Sequence, residues 1–213
     1  MKKFAIIVAF ASTASAFAYG PGAGFAIPDN TPAGAFSLIN VGTAGTIVSL
    51  DSVTVTFDPI HTWVGDLVAT FSSVATGKSV HLFSRLGSTT AGGLGDSSNL
   101  LGTYTFTNTG ASFLTEAQNG TSAYNMAPGT YARSTHAFGA GAGAFYNAND
   151  YTVFTGDSIT DDWKLTISDN AGGDVGGITS WSFEATTSTV PEPTSFAILG
   201  IGAIALIRRR AKK

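Results

Sequence analysis

Short stretches in which apolar and polar residues alternate with a period of two recur along the middle of the chain. Val53, Val55 and Phe57 alternate with Ser52, Thr54 and Thr56; Leu67, Ala69 and Phe71 do so with Val68 and Thr70; Tyr104 and Phe106 alternate with Thr103, Thr105 and Thr107. Further on, Trp163, Leu165 and Ile167 enclose Lys164 and Thr166, and Trp181, Phe183 and Ala185 enclose Ser182 and Glu184. Successive side chains of a strand point to opposite faces, so each stretch predicts a strand with one apolar and one wet face. Turn signals separate the strands: Pro28-Asp29-Asn30, Ala91-Gly92-Gly93 and Asn170-Ala171-Gly172-Gly173. No amphipathic helix of convincing length is visible, and two sheets packed face to face are the economical way to bury the apolar faces. The expectation is an all-β sandwich. The stretch from Ala111 to Asn149 holds few β-branched residues and the run Gly139-Ala140-Gly141-Ala142-Gly143-Ala144, and it reads as long loops between sandwich strands.

The two ends of the chain follow other rules. Residues 1–18 begin with Lys2 and Lys3, continue with the apolar run Phe4 to Ala11 and end in small residues, the order of a secretory signal peptide. Cleavage is expected after Ala16 (Ala14-Ser15-Ala16) or after Ala18 (Ala16-Phe17-Ala18). A buried N-terminal strand is the competing reading, and the order of charged, apolar and small regions favours the signal. At the other end, Val190-Pro191-Glu192-Pro193-Thr194 precedes an apolar stretch from Ser195 to Ile207 and the cluster Arg208-Arg209-Arg210-Ala211-Lys212-Lys213. The stretch is shorter than the roughly 20 residues of a comfortable span, but the clustered cations would hold the extreme C-terminus on the cytoplasmic side. The pattern Pro191, Glu192, Pro193, short apolar helix and Arg208, Arg209, Arg210 resembles the PEP-CTERM sorting signal of Gram-negative bacteria. That resemblance implies recognition by an exosortase, removal of the tail near the Pro-Glu-Pro segment and delivery to the cell surface or an exopolysaccharide matrix, with transient association with the inner membrane. The organisation expected is a signal peptide at 1–18, one sandwich at 19–189 and a sorting tail with a short transmembrane helix at 190–213.

Charge changes the list of partners. Of the 11 Lys and Arg residues only Lys78, Arg85, Arg133 and Lys164 lie between Tyr19 and Thr189, against thirteen carboxylates in the same span, a balance of −9. A domain this acidic repels phosphate backbones and anionic lipid, which argues against nucleic acid. Cations, neutral glycans and proteins remain. There is no cysteine, which excludes disulfides, thiolate metal sites and cysteine nucleophiles.

Three segments of the middle, in order, resemble a known domain. They are Phe25-Ala26-Ile27-Pro28-Asp29-Asn30; then His61-Thr62-Trp63-Val64-Gly65-Asp66-Leu67 with Ser79-Val80-His81-Leu82-Phe83-Ser84-Arg85; and finally Trp163 to Asp174 with Gly177-Ile178-Thr179-Ser180-Trp181-Ser182-Phe183. Together they resemble the P domain (P/Homo B) that accompanies kexin- and furin-type subtilases and occurs in secreted bacterial proteins. The resemblance implies a jelly-roll, galactose-binding-like β-sandwich, a stabilising or substrate-presenting role beside a subtilisin-like protease, and in some members bound calcium. The chain departs from the family at Ser72-Ser73-Val74-Ala75-Thr76-Gly77-Lys78, where Ser-Pro and Gly-Thr are usual, and at Asp162, where a Gly commonly precedes the Trp.

Candidate chemistry is sparse. Gly120-Thr121-Ser122-Ala123-Tyr124-Asn125-Met126-Ala127-Pro128 resembles the nucleophile segment of subtilases with two residues inserted, but that chemistry needs a base and an orienting acid around Ser122. His61, His81 and His136 sit in no matching segment, and His61 and His81 are expected to pack at the sandwich surface. The glycines of 139–143 follow no apolar strand and open no helix, so they are no dinucleotide fingerprint. Calcium wants several oxygens on a turn, and Asp29, Asp66, Asp169, Asn170 and Asp174 are such oxygens on predicted turns, with turn geometry as the alternative use for Asp and Asn. Trp181 is expected in the core, and Trp63 is either core or a sugar-stacking surface. The functional expectation is a non-catalytic exported surface protein that binds or stabilises exopolysaccharide or an envelope protein, with signal peptidase and exosortase as partners during export.

Overall fold

Val53, Val55 and Phe57 are completely buried, as are Ala69 and Phe71, Tyr104 and Phe106, and Trp163, Leu165 and Ile167, so the apolar half of the period-two pattern forms the core. The computed structural model describes residues 13–88, 93–118, 123–134 and 150–188. Its strands are β1 (Ala14–Ile27), β2 (Thr31–Val41), β3 (Thr46–His61), β4 (Leu67–Ser73), β5 (Ser79–Ser84), β6 (Leu100–Thr107), β7 (Ala111–Ser112), β8 (Gly129–Ala132), β9 (Asp161–Asp169) and β10 (Gly176–Ser188), with a short α-helix, α1 (Phe113–Ala117), and two 3-10 turns at Val64–Asp66 and Tyr151–Phe154. They form a six-stranded sheet in the order β1-β10-β3-β6-β8-β7 and a four-stranded sheet in the order β2-β9-β4-β5. The pairings are antiparallel except where β8 runs parallel to β6 and β7.

Aromatic rings fill the space between the sheets. Phe71 of β4 stacks on Trp163 of β9 at 5.2 Å and 9°, and meets Phe183, Trp181 and Phe154 at 5.3, 6.1 and 5.7 Å. A second group joins Phe83, Phe106, Phe113, Tyr104 and Tyr131. Fully burying such a side chain is worth about 1.5–3 kcal/mol, provided that its polar atoms keep partners. They do: Trp163 Nε1 donates to Ile159 O at 3.0 Å, Trp181 Nε1 to Ser37 Oγ at 2.6 Å, and Tyr104 Oη to Met126 O at 2.8 Å. Trp181 is 2% exposed, in the core as expected.

The indole of Trp181 also dictates a glycine. A Cβ on Gly22 would lie 2.2 Å from Trp181 Nε1. Gly22→Ala is therefore expected to push the indole off Ser37 and destabilise the domain by about 1–3 kcal/mol, read as a lower urea midpoint. An unchanged midpoint would show that β1 does not press on Trp181.

The structure adds one element and corrects two expectations. Within the stretch 1–18 read as a signal peptide, β1 begins at Ala14, and Ala14–Ala18 pair with Glu184–Ser188. Their side chains are exposed, so backbone pairing rather than burial holds them: the long strand β10 offers edge groups that an extended small-residue segment satisfies. The region from Ala111 onward is not simply loop. Phe113 and Ala117, four residues apart, are buried on α1, and the helix starts where Ser112 Oγ accepts from Thr115 N at 3.1 Å. Tyr131 then anchors β8. His61, in turn, is not at the surface but completely buried, and His81 is 8% exposed. Residues 1–12 of the expected signal helix, Ser122, His136 and the expected C-terminal helix within 190–213 lie outside the described residues. No helix among the described residues is long and apolar enough to cross a membrane.

Candidate functional site

At one end of the sandwich β3 finishes, β4 and β10 begin and β9 finishes, and the polar residues of these junctions meet. The link from β3 to β4 is a short 3-10 helix, Val64–Asp66, preceded by Trp63 in the left-handed region at φ 60°. Asp66 and Asp169 are buried beside Arg85 and His61, which are buried too. Arg85 Nη1 lies 3.7 Å from Asp66 Oδ1, and Arg85 Nη2 donates to Gly93 O. His61 Nε2 lies 3.4 Å from Asp169 Oδ2, while His61 Nδ1 is 2.5 Å from Thr62 O. A carbonyl only accepts, so Nδ1 is the donor in this contact. Burial pushes the Asp66 carboxyl up to about 6; the Arg85 charge opposes this, and Asp169 and Asp174 add to it. The main chain of Asp66 ties the junction together, its carbonyl accepting from Asn170 N at 2.9 Å and Asn170 Nδ2 at 3.1 Å.

The other expected calcium residues are nearby but turned to separate tasks. Asp174 accepts from Thr62 Oγ1 at 2.5 Å, and the exposed Asp29 accepts from Gly173 N at 3.0 and 3.2 Å, bracing the β9–β10 turn. Among the described residues no three of His, Cys, Asp and Glu are grouped as a metal ion requires. Asp66 faces a guanidinium, Asp174 accepts from Thr62, and Asp29 braces the β9–β10 turn, so each of these three already has a partner within the fold. Arg85 and His61 are the residues sequence reasoning missed here. Their signal was position, since His61 closes β3 and Arg85 directly follows β5.

Trp63 stands at the same end, half-buried, its Nε1 donating to Leu94 O at 2.6 Å. It is not on a sheet face.

The outer face of the four-stranded sheet is different in kind. Register places Phe36, Thr166, Thr70 and His81 side by side across β2, β9, β4 and β5, and next to them Leu38, Lys164, Ser72 and Ser79. Two hollows of about 410 and 400 Å³ lie on this face and share Thr70 and Thr166. The first is walled by Val68, His81, Ser168 and Asn170, the second by Ser72, Ser79 and Lys164. Small hydroxyl side chains leave room between the longer ones, which makes the two hollows one shallow groove crossing three strands. Phe36 and Leu38 are 59% and 44% exposed on its flank, and Lys164 Nζ lies 5.6 Å from the Phe36 ring centre.

Fold and surface together define an all-β sandwich with an open polar groove, built on a chain with an addressing segment at its C-terminal end. Residues 189–211 match the PEP-CTERM protein-sorting motif, which marks the chain for export with a C-terminal membrane-associated sorting signal that an exosortase processes. Among solved structures the chain is similar to the crystal structure of the Aeromonas sobria serine protease (ASP) and the chaperone (ORF2) complex, at 13% identity and a TM-score of 0.40, covering 84% of this chain and 28% of that one. No curated protein matches the chain.

Proposed function

We propose that the chain is a non-catalytic surface module that binds extracellular polysaccharide across the outer face of its four-stranded sheet after export. One observation supports this above the rest: the groove that shares Thr70 and Thr166 runs across β9, β4 and β5, carries the hydroxyls of Thr70, Ser72, Ser79, Thr166 and Ser168, and is flanked by the exposed ring of Phe36. Sugars present hydroxyls at their edges and C–H faces above and below, so a hydroxyl-lined trough with an aromatic margin matches both. The fold is read as a P domain-like jelly roll. In support, β3–β4 and β9–β10, which hold the central and closing segments of the resemblance, meet through Asp66 and Asn170. A stabilising or substrate-presenting role for a separate subtilisin-like protease is the second reading, supported by that resemblance alone.

The test is retention of the full chain, purified in detergent, on the exopolysaccharide of the producing cells. The wild-type chain is expected to be retained and Thr70→Trp, which fills the groove from an outward position, to pass through. Equal elution of both would reject the polysaccharide reading, and capture of a serine protease in place of glycan would favour the second.

A further inference from the structure

Four basic side chains lie in the sandwich, and three of them are occupied. Lys78 holds Asp157 at 2.7 and 2.8 Å. Arg85 faces Asp66. Arg133 donates to His81 O at 2.7 Å and to Asn108 Oδ1 at 3.1 Å, and lies over the Tyr151 ring. Lys164 differs, with no carboxylate at ion-pair distance among the described residues; its ammonium is half-exposed on the groove wall above Phe36. The nearest acid along its strand face, Asp162, is turned to Asn40, whose Nδ2 donates to it at 2.8 Å. In a domain with a balance of −9, a half-exposed basic side chain with no carboxylate at ion-pair distance among the described residues therefore stands on the face that has the groove, and no described Asp or Glu lines that groove.

Resting on the polysaccharide reading above, we infer that the groove selects a carboxylate-bearing polysaccharide, with Lys164 contacting the uronate carboxylate and the Phe36 ring lying against the adjoining sugar face. The argument is charge complementarity at short range. The acidic domain repels a polyanion at a distance, so binding depends on a contact made inside the Debye length, where one properly placed ammonium counts. Phe36 helps twice. It holds the ammonium over its face, which fixes the direction of the charge, and it presents 59% of its surface for stacking.

The test uses the full chain in detergent and two forms of one polymer, a polyuronate and the same polyuronate with its carboxyls reduced to primary alcohols, in affinity electrophoresis. The native polymer is expected to bind on the order of tenfold more tightly than the reduced one, as loss of one hydrogen bond to a charged group implies. Lys164→Gln should lose that factor on the native polymer and nothing on the reduced one, whereas Phe36→Ala should weaken both. Equal binding of the two polymers by the wild type, or a Lys164→Gln loss that is the same on both, overturns the selection for carboxylate and leaves the groove reading standing. Failure of the wild type to bind either polymer overturns both.

Discussion

Phe71→Ala is expected to cost about 3–5 kcal/mol of unfolding free energy and to lower the melting temperature by roughly 10 °C. The ring is completely buried and touches four others, three of them across or beside it at 5.2 to 5.7 Å. Deleting it loses the transfer energy of the ring and leaves a void that Trp163, stacked at 9°, cannot fill without leaving its hydrogen bond to Ile159 O. Urea denaturation followed by tryptophan fluorescence measures it, with an unchanged m-value as the sign that only packing was lost. A loss below about 1 kcal/mol would mean that the two sheets collapse onto the gap, and the rigid aromatic core described above would be wrong.

Arg85→Met should be as damaging, but only at neutral pH. Asp66 holds its proton up to about pH 6 in the folded chain against an ordinary value of 3.8. Between those values the folded state carries the extra proton, so the contribution of Asp66 to stability is greatest below pH 4. It falls as pH rises towards 6, by up to about 3 kcal/mol, and is level above. Removing the guanidinium strips the buried carboxylate of its counter-charge. The expected loss is about 3–5 kcal/mol at pH 7, shrinking below pH 6 as Asp66 becomes neutral. Asp66→Asn is the companion variant, and its stability profile should lack the wild-type fall between pH 4 and 6. Melting curves across pH 4 to 8 decide the matter, since a loss in Arg85→Met that does not vary with pH would show that Arg85 acts by packing its stem alone.

The sheets were legible because strand parity is a one-dimensional signal. Once Val53, Val55 and Phe57 are set on one face, the same rule places Trp163, Leu165 and Ile167, and all six are completely buried. α1 was hidden because it has only five residues, too few for a helical period to be seen against the surrounding small residues. The buried cluster was half legible. Its carboxylates were named from turn positions, but the pairing of Asp66 with Arg85, and of Asp169 with His61, depends on which strand ends meet across the fold. The groove was least visible of all. Thr70, Ser72, Thr166 and Lys164 appear in sequence only as the polar half of an alternation, and nothing local distinguishes a wet face from one shaped to hold a ligand.

Ala14 faces Ser188 across the β1–β10 pair. The chain therefore enters and leaves the sandwich at a single pole, opposite the one where His61, Asp66 and Asp169 lie. Only residues 189–194 separate that exit from the apolar stretch of the sorting tail, and six residues reach at most about 20 Å. A tail held at the membrane would therefore keep the exit pole within reach of it and leave the pole of His61, Asp66 and Asp169 on the far side. The trough beside Lys164, on a sheet face between the two poles, would then open sideways.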